Sequence, residues 1–209
     1  MNPARLEHAQ ADDRMQAVLQ LAQSCRYETE HAHQVTRLAL RLFDELQPLH
    51  SQGDTERFWL QCGALLHDIG WVKGQQKHHK TSLQIILNAP SLPFDERERL
   101  IIASIARYHR KALPHAGHAH FAALEEADQH IVKVLAGMLR VADGLDRTHW
   151  CVVNDLSCEI SATTITIRCA VNGYAEPERL EALEKGGLLE QVFNRQLAIE
   201  WHLDRASRA

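Results

Sequence analysis

The chain has 209 residues, 45% of them hydrophobic, which suits one ordinary domain with a smaller appendage and a real core. A formal net charge of −4 argues against broad nucleic-acid binding, and no apolar run reaches the ~18–20 residues of a membrane span. The N-terminus lacks the apolar stretch of a signal peptide, and the five cysteines form no C-x-x-C pair, so we expect a cytoplasmic protein with free thiols.

Two helices are predicted at the start of the chain, over residues 3–25 and 30–47. The first is assigned to packing or dimer formation and to no chemistry. On the second, apolar residues follow His31 at i+4, i+7 and i+11, which places His31 on the core-facing stripe. His33 falls on nearly the opposite side and is expected in solvent. Pro48 is expected to end this helix.

The stretch 58–73 is apolar on nearly every side and should form a buried helix. It carries the doublet His67-Asp68, whose burial costs several kcal/mol unless a partner compensates. A divalent metal ion is one such partner, since it binds neutral imidazole and carboxylate groups. The structural alternative is a hydrogen-bonded core histidine beside a helix-capping aspartate.

Helical patterns continue over residues 79–89, 95–109 and 121–147. The histidine-rich loop 115–120 is expected to be solvated, and we assign no native metal site to it.

The last of these helices carries two carboxylates, Asp143 and Asp146, near its end. Helical periodicity alone does not choose between them. Together with His31 and the doublet His67-Asp68, either one gives the order H…HD…D on separate helices. An inward histidine on a second helix favours a shared site over independent core roles.

The sequence changes character after residue 150. Alternating β-branched residues over 157–171 indicate strands around a tight turn, and Asn172-Gly173 is a further turn signal. Residues 177–193 indicate a helix, and 196–202 a closing strand. We therefore expect a small α/β appendage with few inward polar groups that could do chemistry.

The H…HD…D order resembles the HD superfamily of metal-dependent phosphohydrolases. Longer stretches are similar to the C-terminal region of the exopolyphosphatase / guanosine pentaphosphatase family, namely residues 27–35, 40–44, 64–70, 78–80, 106–111 and 139–147. The resemblance runs from about residue 12 onward and does not include that family's N-terminal ATPase-like halves or their polyphosphate-cleaving site. It implies a mainly α protein, with an HD-type helical bundle over 1–150 and a small α/β end domain over 151–209.

The resemblance also implies which residues bind metal. In HD proteins the first histidine, the doublet and the last aspartate are ligands, which here implies His31, His67, Asp68 and Asp143. The resemblance thus selects Asp143 over Asp146. HD enzymes with two metal ions use further histidines, and His79 and His109 stand at the matching places.

A metal ion held in this way would lower the pKa of a bound water, and the resulting hydroxide would attack phosphorus in line. Asp68 is expected to be the catalytic carboxylate that bridges to a second ion. Five basic residues are placed to neutralise phosphate oxygens: Lys77, Lys80, Arg110, Lys111 and Arg147. Arg147 has a structural alternative as an i,i+4 partner of Asp143.

The expected function is hydrolysis of a phosphoester or phosphoanhydride, in a nucleotide or another small phosphorylated molecule, through metal-activated water. The alternatives are a non-catalytic regulatory module that binds polyphosphate or a nucleotide, and a dimeric helical scaffold with a relict His-Asp pair. The ligand types allow one or two ions of Mn, Mg, Fe, Co, Ni or Zn. The apolar first helix and the strand-rich tail are compatible with a homodimer.

Overall fold

The computed structural model describes the backbone of residues 3–203 and the side chains of residues 12–202. Ten α-helices lie in this part of the chain: α1 (Pro3–Ser24), α2 (Thr29–Glu45), α3 (Gln47–His50), α4 (Asp54–Leu65), α5 (His78–Leu87), α6 (Glu96–Arg107), α7 (Ala119–Ala122), α8 (Glu126–Gly144), α9 (Glu176–Lys185) and α10 (Gly187–Phe193). Between α8 and residue 203 lie three strands: β1 (Val153–Ile160), β2 (Thr164–Val171) and β3 (Gln196–Leu203). The mainly helical class with a small sheet was predicted from the sequence.

Helix α8 lies at the centre of the helical bundle. It contacts α2, α4, α6, α9 and α10, and almost every residue from Val132 to Gly144 is buried. A helix that is apolar nearly all round is stable only in such a position. Helix α6 packs beside it and begins with a capping box, in which the Asp95 side chain accepts from the Glu98 amide.

Several predicted helix boundaries were wrong. Pro48 does not follow the end of the helical region but lies in the first turn of α3, where a missing N–H costs nothing. The predicted helix 121–147 is two helices, α7 and α8, and 177–193 divides into α9 and α10 at Gly186. Of the predicted helix 3–25, the side chains of residues 3–11 lie outside the described part.

The sheet has the order β1-β2-β3, with β1 antiparallel and β3 parallel to β2. Helices α9 and α10 form the crossover that a parallel pair requires. Along β2, Ile165, Ile167, Cys169 and Val171 are buried, which matches the alternation in the sequence. All five cysteines are free, as predicted.

None of the helices between residues 3 and 203 has both the length and the apolar character that crossing a membrane requires.

Candidate metal centre

The His67-Asp68 doublet lies in a turn after α4 rather than on the predicted helix, because α4 ends at Leu65. A 3-10 helix, Ile69–Lys73, follows directly. Gly70 lets this turn approach α5, since a Cβ there would lie 2.0 Å from the carbonyl oxygen of His78. The Gly70 amide donates to Ser82 Oγ at 2.9 Å, and Ser82 Oγ donates to the carbonyl of His67 at 2.7 Å. These contacts hold the doublet in place.

The first group of converging side chains comes from three parts of the chain: His31 on α2, His67 after α4 and Asp143 on α8. Asp143 Oδ1 lies 3.5 Å from His31 Nε2 and 3.8 Å from His67 Nε2. One ligand atom from each residue falls within 4.8 Å of the others, and all three residues are buried. The inward position predicted for His31 is confirmed, and His33 is exposed as expected.

A second group adjoins the first and consists of Asp68, His78 and His109. Asp68 Oδ1 lies 3.1 Å from His78 Nε2 and 3.4 Å from His109 Nε2. The other oxygen, Oδ2, lies 3.6 Å from His67 Nε2 in the first group. The Asp68 carboxylate therefore faces both groups, one oxygen toward each.

His79 is absent from both groups, and His78 stands where the sequence comparison placed His79. Helix α5 begins at His78, after Lys77 in the left-handed conformation (φ 60°), and successive helical side chains point about 100° apart. Only one of the two histidines can then face Asp68. The His79 ring is 5.7 Å from that of His78 and 6.4 Å from that of His109.

Hydrogen bonds at Nδ1 fix the tautomer of three histidines of the site and therefore the state of Nε2. His67, His78 and His109 each donate Nδ1–H to the carbonyl three residues earlier, at 2.6, 2.9 and 2.7 Å. A carbonyl only accepts, so the proton is on Nδ1 and the Nε2 lone pair points into the site. This is the tautomer that metal-binding histidines present.

Asp146 has a different position from Asp143. Its Oδ2 accepts from His31 Nδ1 at 2.8 Å, and its Oδ1 accepts from the Cys151 amide at 2.9 Å. Helix α8 ends at Gly144, so the helical wheel does not extend to Asp146. Asp143 faces the other donors, whereas Asp146 orients the His31 ring.

Three atoms of the two groups are buried without a hydrogen-bond partner: His31 Nε2, His67 Nε2 and Asp68 Oδ1. Buried polar atoms rarely remain unpaired. The two histidine nitrogens face Asp143 in the first group, and Asp68 Oδ1 faces the second group. Imidazole lone pairs and carboxylate oxygens suit a divalent cation. The residues present therefore fit a metal ion.

Lys185 was not predicted, and it is an inward polar group of the tail, where few such groups were expected. Its Nζ lies 2.7 Å from Asp143 Oδ2 and 3.1 Å from Glu181. Gly144 permits the close packing of α9, since a Cβ there would lie 2.5 Å from Ala182 Cα. No local pattern indicates this contact, because the two partners are 42 positions apart in the sequence.

The electrostatics keep both central carboxylates ionised. Burial alone would raise the pKa of Asp143, but Lys185 and His31 hold it well below its usual range. The surrounding histidines likewise outweigh burial and lower the pKa of Asp68. Burial lowers the pKa of His109 to about 3, so this ring is neutral. Burial also opposes charge on His31, but Asp143 and Asp146 together raise its pKa to about 10.

Of the five basic residues predicted to contact phosphate, Arg110 contacts the second group, with Nη1 3.4 Å from His78 Nε2. Arg147 pairs with Glu181 at 3.3 Å, so the predicted alternative of a pair with Asp143 is wrong. The other three are exposed: Lys77, Lys80 and Lys111.

A cleft of about 980 Å³ opens beside His149. The His149 ring stacks on that of His31, with centroids 3.8 Å apart and planes at 3°. Trp150 and Tyr174 line the cleft and are each 81% exposed. Sequence reasoning missed this cleft because it joins residues on both sides of β1 and β2.

The fold and the site together define a mainly helical protein with a buried histidine–carboxylate centre. Residues 14–184 match the family model described as Ppx/GppA phosphatase, domain III, and the chain belongs to this family. Over 110 residues it is 30% identical to the guanosine-5'-triphosphate,3'-diphosphate pyrophosphatase of Pseudoalteromonas atlantica. That alignment covers 52% of the chain and 22% of the relative, so the similarity spans about a fifth of that protein's length.

Proposed function

We propose that the chain is a metal-dependent phosphohydrolase that acts on a nucleotide or on polyphosphate. Membership of a phosphatase family supports phosphate ester or anhydride hydrolysis. The observation that carries the proposal is the presence of three unpaired buried atoms, from His31, His67 and Asp68, within two adjoining groups of metal-ligand side chains. Along the chain these residues follow the order of an HD-type centre, and that assignment is part of the proposal.

We assign two cation positions to this centre. His31, His67 and Asp143 would hold one ion, and Asp68, His78 and His109 the other. When bound, divalent cations supply a water nucleophile active near neutral pH and positive charge for the phosphoryl oxygens. Asp68 would contribute one oxygen to each position and is the carboxylate nearest to both.

Residues around the two positions orient the ligands. Asp146 holds the His31 ring, and Lys185 holds Asp143 ionised. Arg110, beside His78, is placed to stabilise negative charge on a phosphate oxygen. Arg147 is exposed and lines the cleft, where it would reach a more distant phosphate.

The cleft beside His149 favours a nucleotide as the substrate. Trp150 and Tyr174 offer exposed aromatic faces to a planar base. The cleft adjoins the centre, since His149 lines the cleft and its ring stacks on that of His31. Trp150→Ala should raise the KM for nucleotides and leave that for tripolyphosphate unchanged. An equal rise in KM for both substrates would show that the nucleotide base does not bind in this cleft.

The test combines metal content with turnover. Purified protein is assayed for bound metal and then for phosphate release from nucleotides and polyphosphate with Mn²⁺, Mg²⁺, Fe²⁺ or Co²⁺. We expect bound metal and turnover, both lost in His67→Ala and Asp68→Ala. The proposed metal centre would be wrong if the wild type contained no metal and the two variants left metal content and stability unchanged. Bound metal and ligand without turnover would make the chain a binding module instead.

A further inference from the structure

Arg107 is a buried arginine outside the candidate metal centre that has no ionic partner among the described residues. It is 3% exposed, and its Nη1 is buried without a hydrogen bond. Its guanidinium makes a cation–π contact with the ring of Tyr108, at 5.4 Å from the centroid. An unpaired buried charge is expensive, so this arrangement requires a compensating group.

The surroundings of Arg107 are basic. Tyr108, under its guanidinium, is hydrogen-bonded through its hydroxyl to His118 Nδ1 at 2.8 Å, and its ring lies 5.5 Å from that of His120. The loop 115–120 was expected to be solvated, and these two histidines are only partly exposed.

Further donors in this region lack partners. His120 Nε2 and Ser104 Oγ are both buried without a hydrogen bond. Ser104 lies one turn before Arg107 on α6, and residues three apart share a helix face. In the described part of the chain no carboxylate pairs with Arg107. A set of unpaired donors around a cation is the complement of an oxyanion.

We propose that Arg107, Ser104 and His120 form a binding site for an oxyanion of the phosphate class, separate from the metal centre. Arg107 supplies the charge and a planar fork of N–H donors, a geometry that matches phosphate oxygens. Lys80, which is exposed and contributes to the positive field at His118, would lie at the rim. The ligand is either free phosphate or a non-reacting phosphoryl group of a longer substrate.

The first test uses inorganic phosphate and protein treated with chelator, so that phosphate on a metal ion cannot contribute. Calorimetric titration in a phosphate-free buffer should give saturable binding, matched by a rise in Tm. Arg107→Met should weaken this binding about tenfold or more, since a charge-assisted contact is lost. Arg168→Met removes an exposed arginine of β2 with the same change in charge and should leave binding unaltered.

Two further variants keep the result decisive. Should Arg107→Met fail to fold, His120→Ala tests the same site and should also weaken phosphate binding. Asp68→Asn lies in the metal centre and should leave phosphate binding in chelator unchanged, which separates this proposal from the proposed function. Absence of binding to the wild type, or equal binding by wild type and both site variants, would overturn the proposal.

A last comparison identifies the source of the anion. If tripolyphosphate uses this site as well as the metal centre, wild type with metal should bind it more tightly than inorganic phosphate. Arg107→Met should then bind the two anions with equal affinity. If Arg107→Met still binds tripolyphosphate more tightly than inorganic phosphate, the longer anion does not use this site. The ligand is then free phosphate, provided that the chelator-treated wild type binds inorganic phosphate.

Discussion

The ion pair between Lys185 and Asp143 is the contact through which α9 supports the candidate centre, and Lys185→Met removes it. The two charged atoms lie 2.7 Å apart, and the side chains are 16% and 11% exposed. Breaking a fully buried pair costs about 3–5 kcal/mol, because one charge is left without a partner. Since both side chains keep some contact with water, we expect a loss of about 2–3 kcal/mol in the free energy of unfolding of metal-free protein.

A divalent cation bound to Asp143 would replace the missing positive charge, so the loss should fall below about 1 kcal/mol in saturating Mn²⁺. Urea unfolding of wild type and variant, each in EDTA and in Mn²⁺, gives the four free energies required. Arg147→Met is the matched control, because it also removes a cation from Glu181, but its side chain is 58% exposed. That control should cost below about 1 kcal/mol in both conditions. An equal loss for Lys185→Met with and without the ion would refute the reasoning.

Three further predictions concern the ligands, the doublet turn and the response to acid. Asp143→Asn should lower the affinity for metal more than about a hundredfold and Asp146→Asn about tenfold, since the first removes a ligand and the second only weakens the support of one. Metal analysis after dialysis measures both, and the reverse order would show that Asp146 holds the ion. Gly70→Ala should destabilise the fold by more than about 3 kcal/mol, because its Cβ would overlap a carbonyl oxygen of α5. Gly173→Ala, whose Cβ would meet open space, is the control, and equal urea midpoints for the two variants would contradict the packing argument. Burial, followed by nearby cations, lowers the pKa of His120 from 6.5 to about 4. The unfolded chain therefore takes up this proton first as the pH falls from 6.5 to 4, and the free energy of unfolding decreases over that range. His120→Asn should flatten the slope, and an identical slope in urea titrations across this range would exclude the assignment.

Local periodicity was sufficient wherever a side chain's direction depends on its own helix. His31 illustrates this, since its inward position follows from the apolar residues that come after it on α2. The choice between His78 and His79 depends instead on the turn at Lys77, which no helical pattern encodes. Lys185 depends on how α9 packs on α8, a long-range contact.

The charge of the candidate metal centre couples the binding of the cations to the binding of an anionic substrate. Asp68, Asp143 and Asp146 carry three negative charges when ionised, and Lys185 carries one positive charge. Metal binding requires His31, whose pKa is raised to about 10, to lose its proton, and with all histidines neutral the ligand set has a formal charge of −2. One divalent cation brings this to zero, and a second leaves an excess of +2 in a buried space. A phosphate dianion offsets that excess, so the second cation and an anionic substrate should each raise the affinity of the other. Metal titrations should then show one affinity that is independent of phosphate esters and a weaker one that rises with their concentration.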